Sequence, residues 1–364
     1  MKSCVRFLTF ILILPILIFT VLLLVPDVTY SAITGVCSTC HTMHNSFQGQ
    51  PMAKYSNGTS KPTPNPVLLI TDCIGCHSGP VGDKSTYGAP IVYHTSNPGG
   101  TGPGKTLAGG DFYWVAQSGG DRKGHNVAGL ANQDALLGFT PPGWDPNATA
   151  GTKHVVAPSG WTQQLTCYGT YGCHGWSDGI NYGLKGHHSN LSGALTSSDI
   201  GDASSVGASY RFLLGIWGYE SSDWQWNATS ATHNEYYGVN GNTNYSNKHT
   251  ISYLCAECHG VFHSQAGGSS PWFRHPTDIV LPGTGEYANY NNGSGYSLAS
   301  PVARPAIGSS SSSTVTPGDA STSNGAIVMC LSCHRAHGSE YDSILRWEYS
   351  NATQAGCKVC HTSK

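Results

Sequence analysis

Charge is scarce in this sequence. Asp, Glu, Lys and Arg make up 10% of its 364 residues, and the formal net charge is −2. No run of Lys or Arg occurs, so the chain offers no electrostatic footprint for nucleic acid. Methionine is nearly absent, with four residues including Met1. Helical and strand periodicity is weak, and only 39% of the chain is hydrophobic. Gly (46) and Pro (20) are heavy, which points to long loops. A chain of that kind must offset a large ordering entropy with a thin apolar core. Something besides side-chain packing is therefore expected to fill its interior.

The N-terminus reads as an export signal. Lys2 and Arg6 precede an apolar run, Phe7–Val25, and Thr29-Tyr30-Ser31-Ala32 offers small residues for cleavage. The expected division is a signal peptide over 1–32 and a single domain over 33–364. The alternative is an anchor that is kept, since the apolar run is near spanning length. Leu130–Leu137 and Ser209–Gly215 read as short helical or apolar pieces, and Ser343–Tyr349 reads as a short helix. Ala89–Tyr93 and Asp278–Leu281 carry local strand signals, and the Ser-rich stretch 308–325 reads as a flexible surface loop.

Cysteine (13) and histidine (17) are the outliers. Five Cys-x-x-Cys-His motifs occur: Cys37/Cys40/His41, Cys73/Cys76/His77, Cys255/Cys258/His259, Cys330/Cys333/His334 and Cys357/Cys360/His361. Independent placement would give about 0.02 such motifs in this composition. The motif is the attachment signature of c-type haem: two thiols add to the porphyrin vinyl groups, and the adjacent His sits under the iron. Zinc does not explain a His after every second Cys, and cysteines three apart close poorly on each other. A wider version, Cys167/Cys173/His174, has five intervening residues and reads as a sixth haem site, with a small disulfide loop as the alternative. Six haems c are expected, with proximal ligands His41, His77, His174, His259, His334 and His361.

Eleven histidines remain as candidates for the opposite faces of the irons, whereas four methionines cannot serve six. Bis-His irons are closed and transfer electrons rather than bind substrate. His44, His263 and His337 each follow a motif closely and can point a second imidazole toward a neighbouring haem. His154, His233 and His249 sit in Thr-, Asn- and Lys-rich surroundings and read as surface residues or reserve ligands.

Several runs resemble the hexahaem outer-surface cytochromes of the OmcS type. They include Cys40-His-Thr-Met-His-Asn-Ser46, Gly109-Gly-Asp-Phe-Tyr-Trp-Val115, Asp121-Arg-Lys-Gly-His-Asn126 and Ser209-Tyr-Arg-Phe-Leu213. Cys255-Ala-Glu-Cys-His-Gly-Val-Phe-His263, Phe273-Arg-His-Pro276 and Cys330-Leu-Ser-Cys-His-Arg-Ala-His337 continue the series in order. The resemblance implies a multihaem cytochrome c of irregular loops with a few short helices and minimal strand, its core built from stacked haems. It implies distal ligands at His44, His94, His125, His263, His275 and His337. It further implies head-to-tail polymerisation, with His44 crossing to the haem at Cys330/Cys333/His334 of the next subunit. The widened third motif departs from the family pattern, and His188, then His187, stand as reserve ligands there. The expected function is extracellular electron transfer in a filament, with redox proteins or extracellular acceptors as partners and no enzymatic activity. A monomeric periplasmic or surface carrier is the alternative, and a multihaem reductase the third reading.

Overall fold

In the computed structural model, the described residues are 36–364 except 43–44, 48–49, 55–58, 66–67, 145–160, 176–186, 188–192, 197–208, 243–245, 265–274, 351–353 and 364. The signal segment 1–32, His44, His154 and His188 therefore lie outside them. No helix among the described residues is long and apolar enough to cross a membrane.

Regular structure is confined to fragments of a few residues, as a Gly- and Pro-punctuated sequence requires. The α-helices are α1 (Cys73–Cys76), α2 (Ile251–Ala256), α3 (Gly260–Ser264) and α4 (Cys357–Cys360). Asp72 caps α1 by accepting from Gly75 N–H, and Thr250 caps α2 by accepting from Tyr253 N–H, each at 3.0 Å. Strands run from β1 (Ser46–Phe47) to β11 (Ile327–Val328), and the largest sheet has three members. That sheet joins β7 (Gly193–Leu195), β8 (Gly218–Glu220) and β9 (Glu235–Tyr236), all antiparallel.

Two side-chain clusters lie in the C-terminal half. One gathers Tyr210, Ile216, Ile251, Leu254, Ile327 and Met329, and the other gathers Leu281, Tyr290, Tyr296, Val302 and Val328. Neighbouring residues of β11 serve both, Ile327 facing one and Val328 the other, as the two-residue period of a strand dictates.

Some local expectations are corrected. Residues 130–137 form turns with no helix. The helix expected over Ser343–Tyr349 shrinks to a 3-10 turn at Asp342–Ile344, with Ser343 and Ile344 at φ 58° and 57°. The stretch 308–325 is not a loose loop. Arg304, fully buried, pairs with Glu235 at 3.1 Å and donates to the carbonyls of Ser312, Thr314, Asn324 and Gly325. His233, expected at the surface, is buried and stacks on Tyr296 with ring centres 3.6 Å apart.

Candidate haem sites

Each tight motif folds as a single helical turn. The N–H of the motif His donates to the carbonyl of the first Cys: His41 to Cys37 at 2.9 Å, His77 to Cys73 at 2.8 Å, His259 to Cys255 at 2.9 Å. His334 to Cys330 at 3.1 Å and His361 to Cys357 at 2.9 Å repeat the bond. On one such turn, residues three and four apart share a face, so both thiols and the imidazole point the same way.

The wide motif reaches a similar end by another route. Its spacer loops back so that β5 (Thr166–Tyr168) pairs in parallel with β6 (Gly172–His174). Gly172 makes this possible, because a Cβ there would stand 2.4 Å from the Tyr168 backbone. Cys167 and Cys173 both remain free thiols, not a disulfide.

Five of the six motif imidazoles are held in one tautomer. Nδ1–H donates to Pro90 O in His77 (2.9 Å), to Arg211 O in His174 (2.9 Å) and to Pro142 O in His259 (2.7 Å). In His334 it donates to Ser343 O (2.8 Å), and in His361 it faces Glu286 Oε1 at 3.3 Å. A carbonyl can only accept, so Nε2 is left with its lone pair, the form that a metal ligand needs. Burial depresses the pKa of His77, His125 and His174, and brings His259 to about 4, keeping these rings neutral.

Four motif histidines face a second histidine at nearly constant separation. Ring centres are 6.2 Å apart in His77–His187, His125–His259 and His275–His361, and 6.3 Å apart in His174–His337. Two imidazole nitrogens on opposite sides of one metal, each at about 2 Å, put ring centres about 6 Å apart. These residues fit an iron between each pair. Zinc fits poorly, since no three His, Cys, Asp or Glu side chains converge among the described residues.

Cysteines of successive motifs also meet. Cys76 lies in the field of Cys40, and the Cys73 thiol is hydrogen-bonded to Cys167. Cys255 lies in the field of Cys173 and is bonded to Cys330, and Cys333 neighbours Cys357 and Cys360. The motifs thus follow one another in space in sequence order.

Of the expected distal residues, His125, His275 and His337 are brought opposite motif histidines, and so is the reserve His187. Two others are corrected. His94 is fully buried, with Nδ1 2.7 Å from Asp111 and Nε2 2.9 Å from Gly82 O, so neither nitrogen is left for a metal. His263 commits Nε2 to Asp278 at 3.1 Å. In both, a buried carboxylate takes the ring instead. His249, read as a surface residue, anchors Nδ1 to Gly215 O at 2.7 Å and stacks on Trp217, without a facing histidine among the described residues. His334 is exposed, and no described histidine faces it.

One-turn Cys-x-x-Cys-His cradles with neutral, tautomer-fixed imidazoles define a multihaem c-type cytochrome. A family model for the doubled CXXCH motif matches residues 324–364, covering the last two motifs. The chain is 29% identical to the C-type cytochrome OmcS of Geobacter sulfurreducens, over 85% of this chain and 78% of that one. A cryo-EM structure of OmcS nanowires from the same organism matches with TM-score 0.50 and 25% identity, covering 88% of this chain and 86% of that one. An outer membrane cytochrome S filament from Geobacter sulfurreducens aligns at TM-score 0.47 and 23% identity over 88% and 86% of the two chains. The chain is thus similar to the cytochrome OmcS over most of its length.

Proposed function

We propose that this chain carries electrons outside the cell through six haems c, and that copies join head-to-tail into a filament. The facing histidine pairs carry the reading. Irons closed on both sides by His77/His187, His174/His337, His259/His125 and His361/His275 pass electrons and bind no substrate. The haem supplies the redox change. The chain's own contribution is to fix ligand tautomers, exclude water, and bring successive attachment sites together. His187, a reserve for the third haem, instead serves the second, and His337 serves the third. His94 and His263 are structural.

The exposed, unfaced His334 supports the assembly reading, because its haem would then have room for a ligand from outside. His44 of the next subunit is that ligand. Such a contact is heterologous and propagates unless it closes a ring. His44→Ala is expected to keep six haems by intact mass, convert one iron to a high-spin state, and abolish filaments in negative-stain electron microscopy. His154→Ala should change none of these. Normal filaments with wholly low-spin spectra in His44→Ala would sink the assembly reading. A wild-type monomer with one high-spin iron would instead favour the reductase alternative.

A further inference from the structure

His337 differs from His125 and His275, two of the other histidines placed opposite a motif ligand. His125 donates Nδ1–H to Ala336 O at 2.7 Å, and His275 Nδ1 lies 3.0 Å from Pro276 O. The Nδ1 of His337 is inaccessible to solvent and has no hydrogen-bond partner.

The surroundings explain this. The ring lies against Gly109, where a Cβ would stand 2.9 Å from His337 Nδ1. The Gly109 carbonyl, which is close by, already accepts the backbone N–H of His337 at 2.8 Å. Phe112 covers the ring face, with centres 4.7 Å apart and planes 23° from parallel. The His337 carbonyl is in turn taken by the N–H of His125 at 3.1 Å, and Asp111 N–H by Gly338 O at 3.0 Å. The run from Gly109 to Phe112 therefore seats the imidazole through shape, while the carbonyls of Gly109, His337 and Gly338 each accept a backbone N–H.

We propose that Gly109 and Phe112 are positioning residues that hold His337 without a hydrogen bond to its Nδ1, and thereby make its haem less negative than the haems faced by His125 and His275. This rests on the axial pairing of His174 with His337 proposed above. The physical link is ligand basicity. An acceptor on the distal N–H pushes electron density toward the iron and favours the ferric state. Withholding it favours the ferrous state and raises the potential. The third haem would then hold an electron longer than the haems faced by His125 and His275.

The test is a redox titration of the six-haem protein, followed by electron paramagnetic resonance. The ferric signal that disappears in His337→Ala identifies the centre. His337→Met, which keeps an axial ligand, serves if the first variant folds poorly. In wild type, that signal is expected to be lost before those of the haems faced by His125 and His275 as the potential is lowered. Gly109→Ala should shift both the signal and the potential of this centre, leaving haem count and the other signals unchanged. If neither His337 variant alters any signal, the axial pairing itself is wrong. If the signal is identified but titrates together with or below those of the haems faced by His125 and His275, the pairing stands and the inference from the missing acceptor falls. An unmoved centre in Gly109→Ala would remove the positioning role.

Discussion

The choice between a ligand and a structural histidine is made by what each ring nitrogen touches. His187 faces His77 at 6.2 Å, so His187→Ala should open one iron to carbon monoxide or added imidazole, read as a new high-spin band with all haems retained. His94 illustrates the other fate. Burial alone would lower its pKa, but Asp111 at 2.7 Å overrides this and the net direction is up. A raised histidine pKa stabilises the fold below the unfolded value of about 6.5 and loses that effect as pH rises through the folded value. Asp111→Asn should therefore cost about 3 kcal/mol near pH 5.5 and clearly less near pH 8.5, measured by denaturant melts. The motif turns were legible in the sequence because Cys-x-x-Cys-His is local. The facing histidine pairs were only partly so, because they are brought together by the whole fold: His77 and His187 belong to distant segments. A carboxylate such as Asp111 or Asp278 that claims a candidate ring leaves no local trace.

At the scale of elements, backbone hydrogen bonds serve the imidazoles before they serve secondary structure. The helix read over Ser343–Tyr349 is absent because Ser343 sits at φ 58° and its carbonyl accepts from His334 Nδ1 at 2.8 Å. The stretch 308–325 misled for a related reason. Its Ser-rich composition reads as loose, yet a single cation from outside it, Arg304, takes up four carbonyls between Ser312 and Gly325. Arg304→Ala would strand Glu235 in the interior and is expected to cost about 3–5 kcal/mol. Limited proteolysis should then cut within 308–325, where the native protein resists. Retained resistance would show that the Ser-rich stretch holds itself in place.

Across the whole molecule, the four facing pairs differ in their mutual tilt: 38° for His125–His259, 51° for His174–His337, 72° for His77–His187 and 90° for His275–His361. Because ligand-plane orientation sets the ferric ligand field, the haem at Cys357/Cys360 should give the most anisotropic low-spin resonance signal and that at Cys255/Cys258 the least. A single uniform signal would contradict these geometries. The sequence predicted a loop-rich chain with a thin core, but two side-chain clusters still form around Ile327 and Val328. Their members are scattered from Tyr210 to Val359 without periodicity, so pattern reading could not gather them. The thiols bear on how the protein is made. Cys258 is buried, and burial pushes Cys173 to about 11 and Cys333 to about 12. A thiol held in its protonated form is a poor nucleophile. Buried thiols such as Cys173, Cys258 and Cys333 are therefore expected to take their prosthetic groups while the polypeptide is still open, before it collapses. Folded apoprotein mixed with haem and reductant should accordingly stay free of covalent adduct.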